Sequence, residues 1–377
     1  MTYPARTPGE EPEAWTDELW DAVTGGDEYT ATDLVSAALD GGMDPEELLL
    51  DVIAPLQARV GREWAANRLT VAQEHTATAV NERVIGAVAH HPAVRRLREA
   101  APERPGPVTV ACIDGEWHAL PARLVAELLR LRGWRVDYLG AQVPTAQLIS
   151  HLHRTGPAAV ALSSSIATRL PAAHAAITAC RSTGTPVLVG GAAFGPGGRY
   201  AALLGADAWA PDARAAADRL AKGTLPGPPP ARSVADDLPH LSDREFDHVT
   251  EAAPRLVRQV MDELESRFPE MAAYSDQQRH RTAEDIAHIV DFLGTALYLD
   301  DAGLFTGFLS WTADILTVRG VPAQSLLPAL DLLSERLTEY PRATGMLAQG
   351  REMVQSRMED APRGARLRNQ DTHPKGA

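Results

Sequence analysis

Between Pro107 and Leu225 five short apolar runs, VTVACID, RVDYLG, AAVALSSS, PVLVGG and ADAWA, alternate with amphipathic segments of helical spacing. No other feature restricts the fold as tightly. Two strands separated by a helix cannot form a tight hairpin, so consecutive runs must cross over and pair in parallel. All five runs are apolar without strict alternation, the pattern of strands covered by helices on both faces. The expected unit, residues 105–225, is a doubly wound sheet of five parallel strands.

On either side the pattern changes. From Trp15 to about His91 apolar residues recur at helical spacing, with Gly25-Gly26 and Gly41-Gly42 as breaks, so residues 1–100 are expected to form a bundle of about four helices. Within it Leu48, Val52, Ile53, Leu56, Val60 and Trp64 are spaced by 4, 1, 3, 4 and 4 and share one stripe facing the core. Residues 1–13, rich in Pro and Glu, are expected to fray. After the sheet, GTLPGPPPARS at 223–233 forbids a helix or a central strand, and 226–240 reads as a linker. Residues 241–358 are helical again without a strand signal, and 359–377 read as a disordered polar tail.

A length of 377 residues suits two or three domains. The formal charge of −14 is concentrated at the front, where residues 1–60 hold 14 Asp and Glu against Arg6 and Arg59. That balance opposes phosphate binding there, and no nucleic-acid partner is expected. No stretch reaches the roughly 18 apolar residues of a membrane span, and the first twenty residues lack a signal-peptide pattern, so a cytoplasmic location is expected. Cys112 and Cys180 are too few for a disulfide framework or a thiolate metal site. A metal must therefore be held by His or carboxylate, or arrive inside a cofactor.

Ligands of open α/β sheets bind beyond the carboxyl ends of the strands. There the first strand runs into Asp114-Gly115-Glu116-Trp117-His118, ahead of a helix expected from near Ala122. The third ends in Ser163-Ser164-Ser165 and the fourth in Gly190-Gly191, small residues that leave a crevice. No Gly-x-Gly-x-x-Gly marks the first turn, which argues against a dinucleotide. Alone, His118 suits an ordinary loop histidine and Gly190-Gly191 a tight turn; three elements in register favour a ligand site. Together they resemble the signature of cobalamin-binding domains, Asp-x-His-x-x-Gly followed by a serine motif and Gly-Gly, with Glu116 and Pro121 departing from it. The resemblance implies that His118 coordinates cobalt from below, in the base-off, His-on mode. It also implies that Glu116 or Asp114 orients the imidazole and that the displaced nucleotide tail lies in the crevice lined by Ser163, Ser165, Gly190 and Gly191. Trp117, inside the same loop, joins the expected cofactor contacts.

In the bundle, Trp64 is followed after nine residues by Glu74-His75. A turn at Asn67-Arg68 and a cap at Thr70 would let Trp64 and the pair converge, although these residue types also suit a core tryptophan and a solvated pair. Beside the cobalamin signature, the spacing resembles the Trp-x9-Glu-His motif of the adenosylcobalamin photoreceptors. That resemblance implies that the bundle caps the corrin, that Trp64, Glu74 and His75 meet the adenosyl group, and that light breaks the cobalt–carbon bond. Some members place a His directly after the Trp as a replacement ligand; Ala65 stands there in this chain, so no bis-His product is expected from that position. A corrinoid shuttle of a methyltransferase system shares both domains and is the alternative, against which a bulky Trp cap argues.

Residues 241–358 resemble globin-like sensor domains, and the whole arrangement resembles the photocobilins, photoreceptors that pair cobalamin with biliverdin. A bilin needs an apolar slot, cations for its propionates and a polar group at its pyrrole nitrogens. Arg279, His280, Arg281, His288, Tyr274, Tyr298 and Trp311 supply those types, with His288 expected to point inward. No cysteine follows Cys180, so a bilin in this domain would be held non-covalently. Haem on His288 is one alternative; a solvated helix start and a satisfied core histidine is the other. The expected architecture is an N-terminal four-helix bundle, a flavodoxin-like (Rossmann-like) five-stranded cobalamin domain and a C-terminal all-α globin-like domain. The expected role is a non-enzymatic light sensor that changes its homo-oligomeric, dimeric state and signals to an unidentified protein partner.

Overall fold

The computed structural model describes residues 12–223, 225 and 238–360. Residues 1–11 of the expected frayed start, 226–237 of the linker and 361–377 of the tail lie outside the described residues. The chain divides into two compact units, Met1–Pro239 and His240–Ala377.

The first unit opens with helices α1 (Pro12–Gly25) and α2 (Glu28–Asp40). Helix α3 is built from Pro45–Glu47, a π-helical stretch Leu48–Ile53 and Ala54–Ala65, and α4 is Val71–His90. A short fifth helix, α5 (Pro92–Ala100), supplements the four expected. The starts are fixed locally: Asp27 accepts the Thr30 N–H, Asp44 the Glu46 N–H, and Thr70 and Gln73 cap each other's backbone at the head of α4. Leu48, Val52, Ile53, Leu56 and Val60 are buried as the stripe predicts. Trp64 departs from it, being only half-buried.

The sheet holds β1 (Pro107–Cys112), β2 (Arg135–Gly140), β3 (Ala159–Ser163), β4 (Val187–Gly190) and β5 (Ala208–Ala210), all parallel in the order β2-β1-β3-β4-β5. Helices α6 (Ala119–Leu131), α7 (Thr145–Thr155), α8 (Leu170–Ser182), α9 (Arg199–Leu203) and α10 (Ala213–Ala221) connect and follow the strands. Helix α6 starts three residues before the expected Ala122, because Pro121 falls in the first turn, where its missing N–H costs nothing. The chain goes from β1 to β2 on one side and returns to β3 on the other, so the loops after β1 and β3 part and open a crevice. Pairing of Cys112 with Ser163, Ser163 with Gly190 and Gly190 with Ala210 brings the ends of four strands level at that edge.

The bundle packs on α6, whose Leu120 and Leu124 complete the bundle core. Glu46 at the start of α3 takes a two-pronged contact from Arg132 at 2.8 and 3.1 Å and a third from Arg214 at 3.0 Å, while Arg214 also holds Asp51 at 2.8 Å. Hydrogen bonding from Arg132, then from Arg214, keeps the Glu46 carboxyl below the ordinary range despite partial burial.

The second unit contains α11 (Glu245–Arg267), α12 (Asp276–Leu299), α13 (Ala302–Val318), α14 (Leu327–Arg336) and α15 (Pro341–Asp360), with no strand among the described residues. Val249, Val260, Ile289, Leu293, Phe305 and Leu333 belong to one apolar core. Buried Glu245 accepts the N–H groups of Arg342 and Ala343 and so caps α15 from a distance in sequence. Among the described residues no helix is long and apolar enough to cross a membrane.

Candidate functional site

Glu116 is the centre of the β1 loop. Its side chain is fully buried; Oε1 lies 2.6 Å from His118 Nδ1 and accepts the His118 N–H at 2.9 Å. Its Oε2 accepts the N–H of Ser165 at 2.6 Å, the N–H of Ile166 at 3.1 Å and the Ser164 hydroxyl at 3.2 Å. Burial opposes the charge, yet the bonds from His118, Ser165 and Ile166 outweigh it and hold the carboxyl down at about 2. An ionised carboxylate at Nδ1 orients the ring, fixes the proton on that nitrogen and leaves the Nε2 lone pair for a metal. Of the two carboxylates considered for this role, Glu116 meets the imidazole and Asp114 is exposed. Trp117 stacks on the His118 ring with centroids 3.8 Å apart and planes at 28°, and is 47% exposed.

Beside this loop a shallow cleft runs along the sheet edge, lined by Ala122, Ser163, Leu188, Gly190, Gly191 and Ala210 among others. Gly191 is at φ +102°, and a Cβ there would stand 2.1 Å from the Ser164 carbonyl oxygen, so only glycine brings this turn so close to β3. The backbone of Ser165, a residue expected in the crevice, gives its N–H to Glu116. Ser164 was not singled out by the sequence, yet its hydroxyl reaches Glu116 and its carbonyl sits under Gly191. The available signal was strand periodicity, which turns the middle of three residues away from its neighbours.

On the bundle side, the capped start of α4 carries Glu74 and His75. Glu74 Oε2 lies 2.6 Å from His75 Nδ1, and Thr78 Oγ1 donates to Glu74 Oε1 at 2.9 Å. The His75 ring is 6.2 Å from Trp117. The structure thus brings His75, Trp117 and His118 together from two parts of the first unit. Trp64 stands near the end of α3, just before the turn at Asn67, whose φ is +56°.

The residues proposed for a second pigment do not form one cluster. Arg279 is tied to Glu265 and the Met271 carbonyl, and exposed His280 pairs with Glu284. Tyr298 is buried edge-on against Phe246 at the other end of α12, about 27 Å away at 1.5 Å per residue. His288 is exposed, which corrects the expectation that it points inward: Ile286, Ile289, Val290 and Leu293 form the buried stripe and His288 falls beside it. Tyr274 packs edge-on to Phe268. Arg281 and His288 flank Asp285, and on α13 Trp311, 48% exposed, adjoins Phe308, which stacks on Phe292 at 3.8 Å. Among the described residues no group of three or more His, Cys, Asp or Glu side chains is placed to hold a metal ion.

Residues 15–89 and 106–221 match two families, each described as a B12 binding domain. The chain is 29% identical over 184 residues to the HTH-type transcriptional repressor CarH of Myxococcus xanthus, covering 48% of this chain and 58% of that protein. It is 32% identical over 216 residues to the HTH-type transcriptional repressor CarA of the same organism, covering 52% of this chain and 67% of that protein. It is also 26% identical over 150 residues to trimethylamine corrinoid protein 1 of Methanosarcina acetivorans, covering 40% of this chain and 68% of that protein. By name these relatives are repressors and a corrinoid protein rather than enzymes.

Proposed function

The chain belongs to the cobalamin-binding, photoreceptor-like family that includes the Myxococcus repressor CarA, and from that premise we propose that it is a non-enzymatic light sensor holding adenosylcobalamin in its first unit. The observation that carries the reading is the Glu116–His118 pair at the carboxyl edge of β1. The donor set suits the cofactor: one imidazole with Nε2 available, a buried anion behind it, and an adjoining cleft floored by small residues. Bound adenosylcobalamin supplies a cobalt–carbon bond that light cleaves.

The protein's own residues do the rest. His118 would hold the cobalt through Nε2, with Glu116 keeping the imidazole oriented and basic. Ser163, Gly190 and Gly191 receive the displaced nucleotide tail, and Trp117 walls the loop side. Trp64, Glu74 and His75 close over the adenosyl group, so residues 1–100 cap residues 105–225. Without that group the contacts of Trp64, Glu74 and His75 would be lost, leaving the bundle to shift on α6 and to alter a homodimeric state read by a protein partner in the cytoplasm. The acidic residues 1–60 suit no nucleic acid. Residues 241–358 act as a globin-like sensor holding biliverdin non-covalently, along the strip of Arg281, His288 and Trp311.

The methyl-shuttle reading is favoured by the 62% exposure of His75, since a shuttle needs an open upper face, and by the similarity to a trimethylamine corrinoid protein. The test is to load the purified chain with adenosylcobalamin and record its absorption and mass before and after green light, with and without biliverdin. The expected result is a base-off spectrum that changes on illumination together with the mass. Bands unchanged by light overturn the sensor reading and favour the shuttle.

A further inference from the structure

We propose that His75 is a second cobalt ligand, its Nε2 taking the upper position whenever no adenosyl group occupies it. The inference rests on the reading above, in which His118 holds the metal from below.

The first observation is the way His75 is held. Its Nδ1 meets a carboxylate at 2.6 Å, the same atom and the same distance as in the Glu116–His118 pair. An imidazole engaged this way is a stronger donor through Nε2 and has that nitrogen free. Three other histidine–carboxylate pairs, His91–Asp40, His151–Asp137 and His280–Glu284, engage through Nε2 instead, at 3.3, 3.2 and 3.3 Å. Among the described residues the ligand-like arrangement is therefore particular to the two histidines that face Trp117.

The second observation is position. Ring-centre distances of 6.2 Å from His75 to Trp117 and 3.8 Å from Trp117 to His118 bound the separation of the two imidazole centres at 10.0 Å. Two imidazoles on opposite faces of one metal, with metal–nitrogen bonds near 2.0–2.1 Å, have centres roughly 6–7 Å apart. Closing the difference needs a movement of at most about 4 Å, within the reach of a side chain and a small helix shift. His75 is free to make it, being 62% exposed, whereas its orienting carboxylate is 20% exposed and anchored by Thr78. Ala65, which follows Trp64, has no donor to offer.

The step is a ligand exchange on cobalt(III): the Nε2 lone pair forms a bond to cobalt as the water held there leaves, with no electron transferred. The exchange ties α4 to the β1 loop through the metal, so a bundle that has lost its adenosyl contacts and shifted on α6 is held in that shifted position.

Hydroxocobalamin tests this in the dark, without photochemistry. The wild-type protein is expected to show the absorption of cobalt(III) with two axial imidazoles and to take up cyanide at least about tenfold more slowly than His75→Ala. His75→Ala is expected to show a water-and-imidazole spectrum, to recover the two-imidazole spectrum on adding free imidazole, and to retain the corrinoid through His118 with an affinity loss of less than about tenfold. Glu74→Gln keeps the ligand but loosens it, giving an intermediate cyanide rate. A wild-type spectrum and cyanide rate identical to those of His75→Ala overturn the proposal while leaving the light-sensor reading intact. Conversely, an adenosylcobalamin complex indifferent to light, with the His75 effect still present, removes the sensor reading alone.

Discussion

Two glutamate–histidine pairs, Glu116–His118 after β1 and Glu74–His75 at the start of α4, share a 2.6 Å contact and differ in almost everything around it. The first is assembled from two loops about fifty residues apart, and its carboxylate is fully buried beneath donors from His118, Ser164, Ser165 and Ile166. The second is made by neighbours on one helix, its imidazole largely in solvent and its carboxylate partly covered, with Thr78 as its brace. Charge-assisted bonds to a buried carboxylate contribute about 1.5–3 kcal/mol each, an exposed pair at most about 1 kcal/mol. The lower histidine is therefore set when the domain folds, and the upper one is set only by what it meets. In the proposed reading, one rigid and one adaptable ligand hold the cofactor in place while its upper face changes.

The sharpest way to break the comparison is His118→Ala. Cobalamin affinity should fall by more than about 100-fold and the base-off spectrum should vanish, against less than about tenfold for His75→Ala. Absorption titrations of both variants decide it, and comparable losses would mean that the two sides are equivalent. Acid stability is the next handle. The Glu116 carboxyl lies at about 2 in the fold against an ordinary 4.5, so its contribution is present above pH 4.5 and is lost as the pH falls toward 2. The loss should reach about 3 kcal/mol, visible as a falling denaturant midpoint in the wild type that Glu116→Gln does not share.

Gly191→Ala probes the support of the rigid side from behind. A methyl group 2.1 Å from the Ser164 carbonyl, at a positive φ, should cost more than about 1 kcal/mol in thermal or denaturant unfolding and loosen the cobalamin site with it. An unchanged midpoint would mean that β3 gives way freely. The smallest effect belongs to the upper pair: Glu74→Gln should alter unfolding free energy by no more than about 0.5 kcal/mol, and a larger loss would show that this pair too supports the fold.

Much of this was legible in the sequence because it is local. The five apolar runs became five strands, and Thr70 began its helix, since periodicity and capping act over a few residues. The errors came where sequence distance and spatial distance part. Arg279–Arg281 and Tyr298 share one helix but sit at its two ends, and His288 missed the buried stripe by a residue. Ser164, whose hydroxyl reaches Glu116, was passed over, and the backbone service of Ser165 to Glu116 was not foreseen.

The alternation of apolar runs and helices by itself determined a parallel, doubly wound sheet, because no other arrangement buries strands so evenly apolar. It also determined which chemistry was at hand: a histidine after the first strand, serines after the third and glycines after the fourth. Only the tertiary structure decided between Asp114 and Glu116 and brought His75 toward His118. Those choices depend on strand register and on the packing of the bundle against α6. They bring together residues roughly fifty apart around β1 and β3, and as many as 43 apart across Trp117, separations over which no local periodicity carries information.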